Sequence, residues 1–254
     1  MSRRGGAVGR NGARPVCLLS GAAGTLGTAF CREFARRYQI VALWHVRRPL
    51  APTQDQHLFD PLDPERVLRV NAAPVHAIQA DLGSDADLAR VLDEVLDTFG
   101  RVDALLNVAV TGRWAGLLDD RITVASCADA LRVNLAAPLA LTSLVARRAW
   151  LSDPDGNREA NRSVLNLSST AGSHVYEGYG QGLYSTTKAA LNMLTRHLAV
   201  ELAPLGIRVN ALAPDSFPGR VPTSRVLRSM QAMIEGDAHG DIVELHPAAA
   251  EPVA

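Results

Sequence analysis

The chain has no excess charge of either sign: among its 254 residues, 26 Lys and Arg balance 26 Asp and Glu. A balanced chain offers no electrostatic footprint for nucleic acid or another polyanion. Cysteine is scarce. Cys17, Cys31 and Cys127 are odd in number and lack metal-ligand spacing, so ordinary reduced thiols are expected rather than a disulfide framework or a metal centre. No uninterrupted apolar run reaches the ~18 residues that a membrane span requires. Residues 1–14 are rich in Arg and Gly with no apolar core segment, so a flexible tail is expected there and not a secretory signal. A cytoplasmic protein without membrane or nucleic-acid contacts is the expectation from these absences.

What the chain does have is apolar residues, 47% of the total, enough for one sizeable core. They fall into short runs alternating with helical periods. Strands are expected over 16–20, 40–46, 75–81, 102–107, 163–169, 208–213 and 242–245. Helices are expected after the glycines at 21–27, over 84–100, 128–148 and 183–202, and more briefly over 224–235. In the 84–100 helix, Ser84 stands at the N-cap, Leu88, Val91, Leu92, Val95, Leu96 and Phe99 form one face, and Gly100 closes it. Such alternation predicts an α/β fold: a single Rossmann-like, doubly wound parallel sheet of about seven strands, helices on both faces. The domain is expected to span 15–246, with a tail at 247–254. Residues 49–74, broken by Pro49, Pro52, Pro61, Pro64 and Pro74, are expected to be an extended excursion with at most a short helix over 64–70.

The stretch 163–202 carries the chemistry. Its strand ends at Ser168-Ser169, and its helix opens with Tyr184 and Lys188 four residues apart. Residues at that spacing share a helix face, with Cβ atoms roughly 5–6 Å apart. A free phenol, with a pKa near ~10, holds its proton too firmly for acid–base work at neutral pH. A fixed ammonium beside it would favour the phenolate. Ser169 would supply a hydroxyl for a substrate oxygen, with Ser168 as the alternative. An isolated pair of this kind is more often a surface contact, so the rest of the chain has to support the reading.

It does so at two places. Gly21-Ala22-Ala23-Gly24-Thr25-Leu26-Gly27 lies between the first strand and a helix, where glycines allow a tight turn and close approach of a pyrophosphate to the helix N-terminus. The second strand runs into Arg47-Arg48, where an acidic residue would otherwise meet the ribose of NAD. Arginine grips a 2′-phosphate by charge-assisted bonds, so NADP(H) is the preferred cofactor, with NAD(H) possible.

Taken together, the motifs resemble those of the short-chain dehydrogenase/reductase family over about residues 15–245. The residues that carry the resemblance are Ser20 to Gly27, Asp81-Leu82, Asn107-Val108-Ala109, Asn134, Asn166 to Ser169, Tyr184 with Lys188, and Arg208 to Pro214. The resemblance implies hydride transfer between NADP(H) and a small-molecule carbonyl or alcohol. Tyr184 would be the general acid or base, and Ser169 would hold the substrate oxygen. Lys188 would bind the nicotinamide ribose, and Asn134 would hold a water linking Lys188 to solvent. Gly21, Gly24, Thr25, Leu26 and Gly27 would meet the pyrophosphate; Asp81 and Leu82 the adenine. Asn107 and Ala109 would line the cleft, and Pro214 would flank the nicotinamide. Relatives commonly pair through the helices bearing Asn134 and Tyr184, which implies a homodimer or homotetramer. The sequence departs from the family pattern at Thr25, Val108, Val110 and Asp215, and its segment between the last two strands is short. Two other readings are kept open: a cofactor-binding regulatory member without turnover, and an epimerase or dehydratase on the same scaffold.

Overall fold

The computed structural model describes residues 14–51, 58–60, 63–68, 75–112 and 114–247. Its framework is a seven-stranded parallel sheet. In chain order the strands are β1 (Val16–Leu19), β2 (Gln39–Trp44), β5 (Val75–Gln79), β6 (Ala104–Asn107), β7 (Ser163–Leu167), β8 (Arg208–Pro214) and β9 (Ile242–Leu245). Across the sheet the order is β5-β2-β1-β6-β7-β8-β9. The chain therefore steps outward from β1 through β2 to β5, then crosses back to β6 on the other side of β1. That reversal opens a crevice at the carboxyl ends of β1 and β6, the place where open α/β sheets bind ligands.

Alternation along each strand divides the core in two. Cys17 and Leu19 of β1 point to the face covered by α1 (Thr25–Phe34) and α7 (Thr223–Glu235), where Phe30, Tyr38 and Met230 are buried. Val16 and Leu18 point to the other face. That face is covered by α2 (Asp85–Phe99), by the helix 124–150 and by α6 (Gly182–Leu202), with Leu92, Leu141, Val145 and Leu198 buried. Ser84 caps α2 by accepting from the Asp87 N–H, and Gly100 closes it in a left-handed conformation, as the sequence predicts.

Helix 124–150 is more than the 128–148 segment expected. It begins as α3 (Val124–Leu131), widens through a π segment at Arg132–Ala136, continues as α4 (Ala137–Val145) and ends in a second π segment at Ala146–Trp150. By length and composition it could cross a bilayer. Here Leu141, Val145 and Trp150 are buried in the core under the sheet while Leu131 and Leu139 stay exposed, and Trp150 donates its indole N–H to the Val102 carbonyl at 2.8 Å.

Four expectations are corrected. Residues 63–68 form strand rather than helix: β3 (Leu58–Asp60) and β4 (Asp63–Leu68) pair as an antiparallel hairpin, an arrangement that tolerates Pro64 at a strand start. A helix over Pro154–Glu159, α5, was not anticipated, although Asp153-Pro154 is a cap-and-first-turn signal and Asp153 does accept from the Gly156 N–H. Strand β2 stops at Trp44, so Arg47 and Arg48 lie in the loop beyond it. Arg14, assigned to the tail, is held by bonds to the Ala35 carbonyl and Gln39. Residues 1–13 and 248–254, the rest of the two expected tails, lie outside the described residues.

Candidate active site

The crevice at the strand reversal is the mouth of a cavity of about 920 Å³. One wall is the turn between β1 and α1. Gly21 adopts φ +72, and a Cβ there would come within 2.7 Å of the Ala109 backbone. A Cβ on Gly27 would stand 2.3 Å from the Gly21 carbonyl oxygen. Only glycine permits this double approach, which brings the start of α1 against the loop after β6. Ser20 locks that contact, its hydroxyl accepting from the N–H groups of Val108 (3.0 Å) and Ala109 (3.2 Å). The N-cap residue Gly24 offers no side chain to the first turn of α1. Thr25, Leu26 and Gly27 all line the cavity, so unpaired helix N–H groups open onto it.

Next along the wall come Trp44, Arg47, Asp81 and Leu82. Arg48, expected beside Arg47, instead stacks its guanidinium 5.1 Å from the centre of the Trp44 ring and does not line the cavity. The Asp81 carboxylate accepts from the Gly83 N–H at 2.8 Å, holding the turn after β5. Asn107 departs from its expected place. It is buried within the sheet layer and donates to Asn166 at 2.8 Å, because β6 pairs with β7 in the register that sets these two side by side; Ala109 lines the cavity in its stead.

At the far end Ser169, Tyr184 and Lys188 converge. Both adjacent serines line the cavity, but the Ser168 hydroxyl is committed to Asn192, while Ser169 stands beside Tyr184 and its hydroxyl accepts from the Ala171 N–H at 3.2 Å. A Cβ on Gly172 would come 2.8 Å from the Lys188 backbone, so this glycine lets the loop after β7 lie flat on α6 and brings Ser169 to Tyr184. Lys188 is buried, donates to the Leu167 carbonyl at 2.6 Å, and lies 5.7 Å from the centre of the Tyr184 ring. Burial lowers its pKa from 10.5 to about 8. Burial raises that of Tyr184, and the Ser169 hydrogen bond only partly opposes this. Loss of water around the phenol, and not the expected lowering by the neighbouring ammonium, therefore sets the direction of the Tyr184 shift.

Asn134 has a different place from the one expected. Its amide accepts from the Thr111 N–H (2.8 Å), donates to the Thr111 carbonyl (2.9 Å) and donates to the Thr187 hydroxyl (3.2 Å). With the side chain so committed, Asn134 ties the loop after β6 to α6 and is absent from the cavity wall, where Val133 stands. The π segment centred on it marks the same spot in the backbone.

The sequence model of short chain dehydrogenases matches residues 15–225. The chain belongs to the short chain dehydrogenase family. It is 30% identical over 200 residues to a glucose and ribitol dehydrogenase homolog of Arabidopsis thaliana, covering 78% of this chain and 63% of that protein. It is also 30% identical over 202 residues to the NADPH-dependent aldehyde reductase 1, chloroplastic, of the same plant, covering 78% of this chain and 64% of that one. The chain thus spans somewhat under two thirds of these relatives' length. A short chain dehydrogenase crystal structure from Mycobacterium smegmatis superposes with a TM-score of 0.73 over 94% of each chain; at 23% identity it speaks for the fold alone.

The residues present fit the family's nicotinamide dinucleotide. A cradle that any Cβ would fill lies beside an uncapped helix start, which suits a pyrophosphate, and a buried ammonium and a phenol stand at the other end. The departures from the family pattern do not close this space. Val110 lies on the wall, half exposed. Asp215, also on the wall beside Pro214, is braced by the Ser216 hydroxyl, and its N–H donates to the Leu245 carbonyl. Sequence reasoning missed Trp114, Phe217 and Arg220 on the wall. Trp114 meets Tyr179 edge to face at 5.6 Å, a pairing of residues far apart in the chain that no local pattern announces.

Proposed function

We propose that this chain is an oxidoreductase that interconverts a small-molecule carbonyl and alcohol with NADP(H). The observation that carries the reading is the meeting of Ser169, Tyr184 and Lys188 at one end of a cavity whose other end is the Gly21–Gly27 turn. When bound, the nicotinamide supplies or accepts the hydride. The Ser169 hydroxyl holds the substrate oxygen, and the Tyr184 Oη gives that oxygen a proton in reduction or removes it in oxidation. Lys188 presents its ammonium beneath the phenol, and the Leu167 carbonyl fixes its direction. Asn134 keeps the loop after β6 and the Thr187 turn in place.

The preference for NADP(H) rests on Arg47 on the cavity wall and agrees with the name of the NADPH-dependent relative. Pairing of two copies is part of the same reading, supported by exposed Leu131 and Leu139 on the Asn134 helix and Met193 and Val200 on α6. Three unpaired cysteines fit a reducing, cytoplasmic setting. The test is NADPH fluorescence titration followed by a panel of aldehydes and ketones. Tyr184→Phe should keep NADPH binding and lower kcat by about 10²–10⁴. The altered stretch 107–110, with Val110 on the cavity wall, favours a second reading, a regulatory member that holds cofactor without turnover. NADPH binding with no oxidation against the whole panel, in wild type and Tyr184→Phe alike, would establish that one instead.

A further inference from the structure

Outside the cavity, two imidazoles meet one carboxylate oxygen. His174, in the loop after β7, places its Nε2 2.9 Å from Glu244 Oε2, and His246 places its Nε2 3.0 Å from the same atom. The donor atoms of all three residues lie within 4.8 Å of one another. Glu244 and His246 are two apart at the end of β9, so they point to the same side of the sheet's edge strand. His174 arrives from 70 residues away in sequence.

We propose that His174, Glu244 and His246 form a binding site for a divalent transition-metal ion of the zinc type. Two neutral imidazoles and one carboxylate make up a recognised three-ligand zinc set, with water completing a tetrahedron. The donor chemistry favours zinc and its neighbours over calcium or magnesium, which prefer oxygen alone. Tetrahedral bonds of about 2.0–2.1 Å set donors roughly 3.3 Å apart, so the 2.9 and 3.0 Å separations would open by a few tenths of an ångström, and the two imidazole nitrogens, within 4.8 Å of each other, would close by up to about 1.5 Å through rotation of the exposed rings. Both imidazoles are half exposed, with side chains 51% and 55% accessible, which leaves an entry path. The metal would staple the loop after β7 to the sheet edge. That loop continues to Tyr176, which lines the cavity and donates to the Thr170 hydroxyl at 2.8 Å. The ion thus stiffens one wall of the cavity without entering it, and the inference stands independently of the proposed reaction.

The experiment uses the full, untagged, metal-stripped chain and zinc chloride or cobalt chloride alone, followed by calorimetry and by the visible spectrum of bound cobalt. One zinc per chain is expected, with an intense tetrahedral cobalt band. Glu244→Gln and His174→Ala should each weaken binding by at least about tenfold and abolish the band, at unchanged circular dichroism because the side chains are on the surface. Zinc should also slow proteolytic cleavage within residues 172–181 of wild type and not of Glu244→Gln. No binding up to about 100 µM zinc, or equal binding by wild type and both variants, overturns the assignment.

Discussion

Replacing Lys188 by methionine removes a charge that folding buries, and the consequence can be worked out in advance. The ammonium is 2% exposed, and burial lowers its pKa from 10.5 to about 8. That drop corresponds to roughly 3 kcal/mol of penalty on the folded state at neutral pH. The sign follows from proton counting. The unfolded chain holds the proton more tightly, so the penalty is complete below pH 8 and is relieved as pH rises toward 10.5. At pH 7 Lys188→Met escapes nearly all of it but leaves the Leu167 carbonyl without its donor, at a cost of about 1–3 kcal/mol. The variant is therefore as stable as wild type or up to about 2 kcal/mol more stable at pH 7. The pH dependence is the sharper test, because Leu167 loses its donor at every pH. Between pH 7 and pH 10 wild type should gain about 2–3 kcal/mol on the variant. Urea unfolding of both proteins at the two pH values, followed by circular dichroism, measures it. A gap between the two proteins that stays constant within about 0.5 kcal/mol would refute the reasoning, and with it the buried ammonium beside Tyr184.

Other perturbations have defined outcomes. Gly27→Ala sets a Cβ 2.3 Å from the Gly21 carbonyl, so it should cost about 1–3 kcal/mol in chemical unfolding and weaken NADPH binding in the same fluorescence titration. Gly172→Ala should lower kcat more than it weakens cofactor binding, since the clash is with the Lys188 backbone and displaces Ser169 rather than the glycine turn; steady-state kinetics separates the two. Ser168→Ala should cost about 1–3 kcal/mol of stability and retain turnover, whereas Ser169→Ala, which removes the cap on the Ala171 N–H, should cost about 0.5–2 kcal/mol and lose turnover. Leu92→Ala, at a fully buried α2 position, should destabilise by about 2–5 kcal/mol in urea titration.

The sequence by itself determined what local chemistry and periodicity can specify. Short apolar runs had to be strands because they alternate with amphipathic helices, and their number and kind match the seven-stranded parallel sheet. The turn at Gly21–Gly27 was legible because no other residue type fits it. The spacing of Tyr184 and Lys188 was legible because four residues make one helical face. Tertiary structure alone decided the rest, since each outcome depends on atoms distant in the chain. Register between β6 and β7 turned Asn107 toward Asn166 and out of the cleft. The ring of Trp44 drew Arg48 away and left Arg47 on the wall. Thr111 and Thr187 occupied the amide of Asn134. Burial, a property of the packed molecule and of no residue type, set the charge balance of Tyr184 and Lys188, and the path of the loop after β7 along the sheet's edge brought His174 within reach of Glu244 and His246.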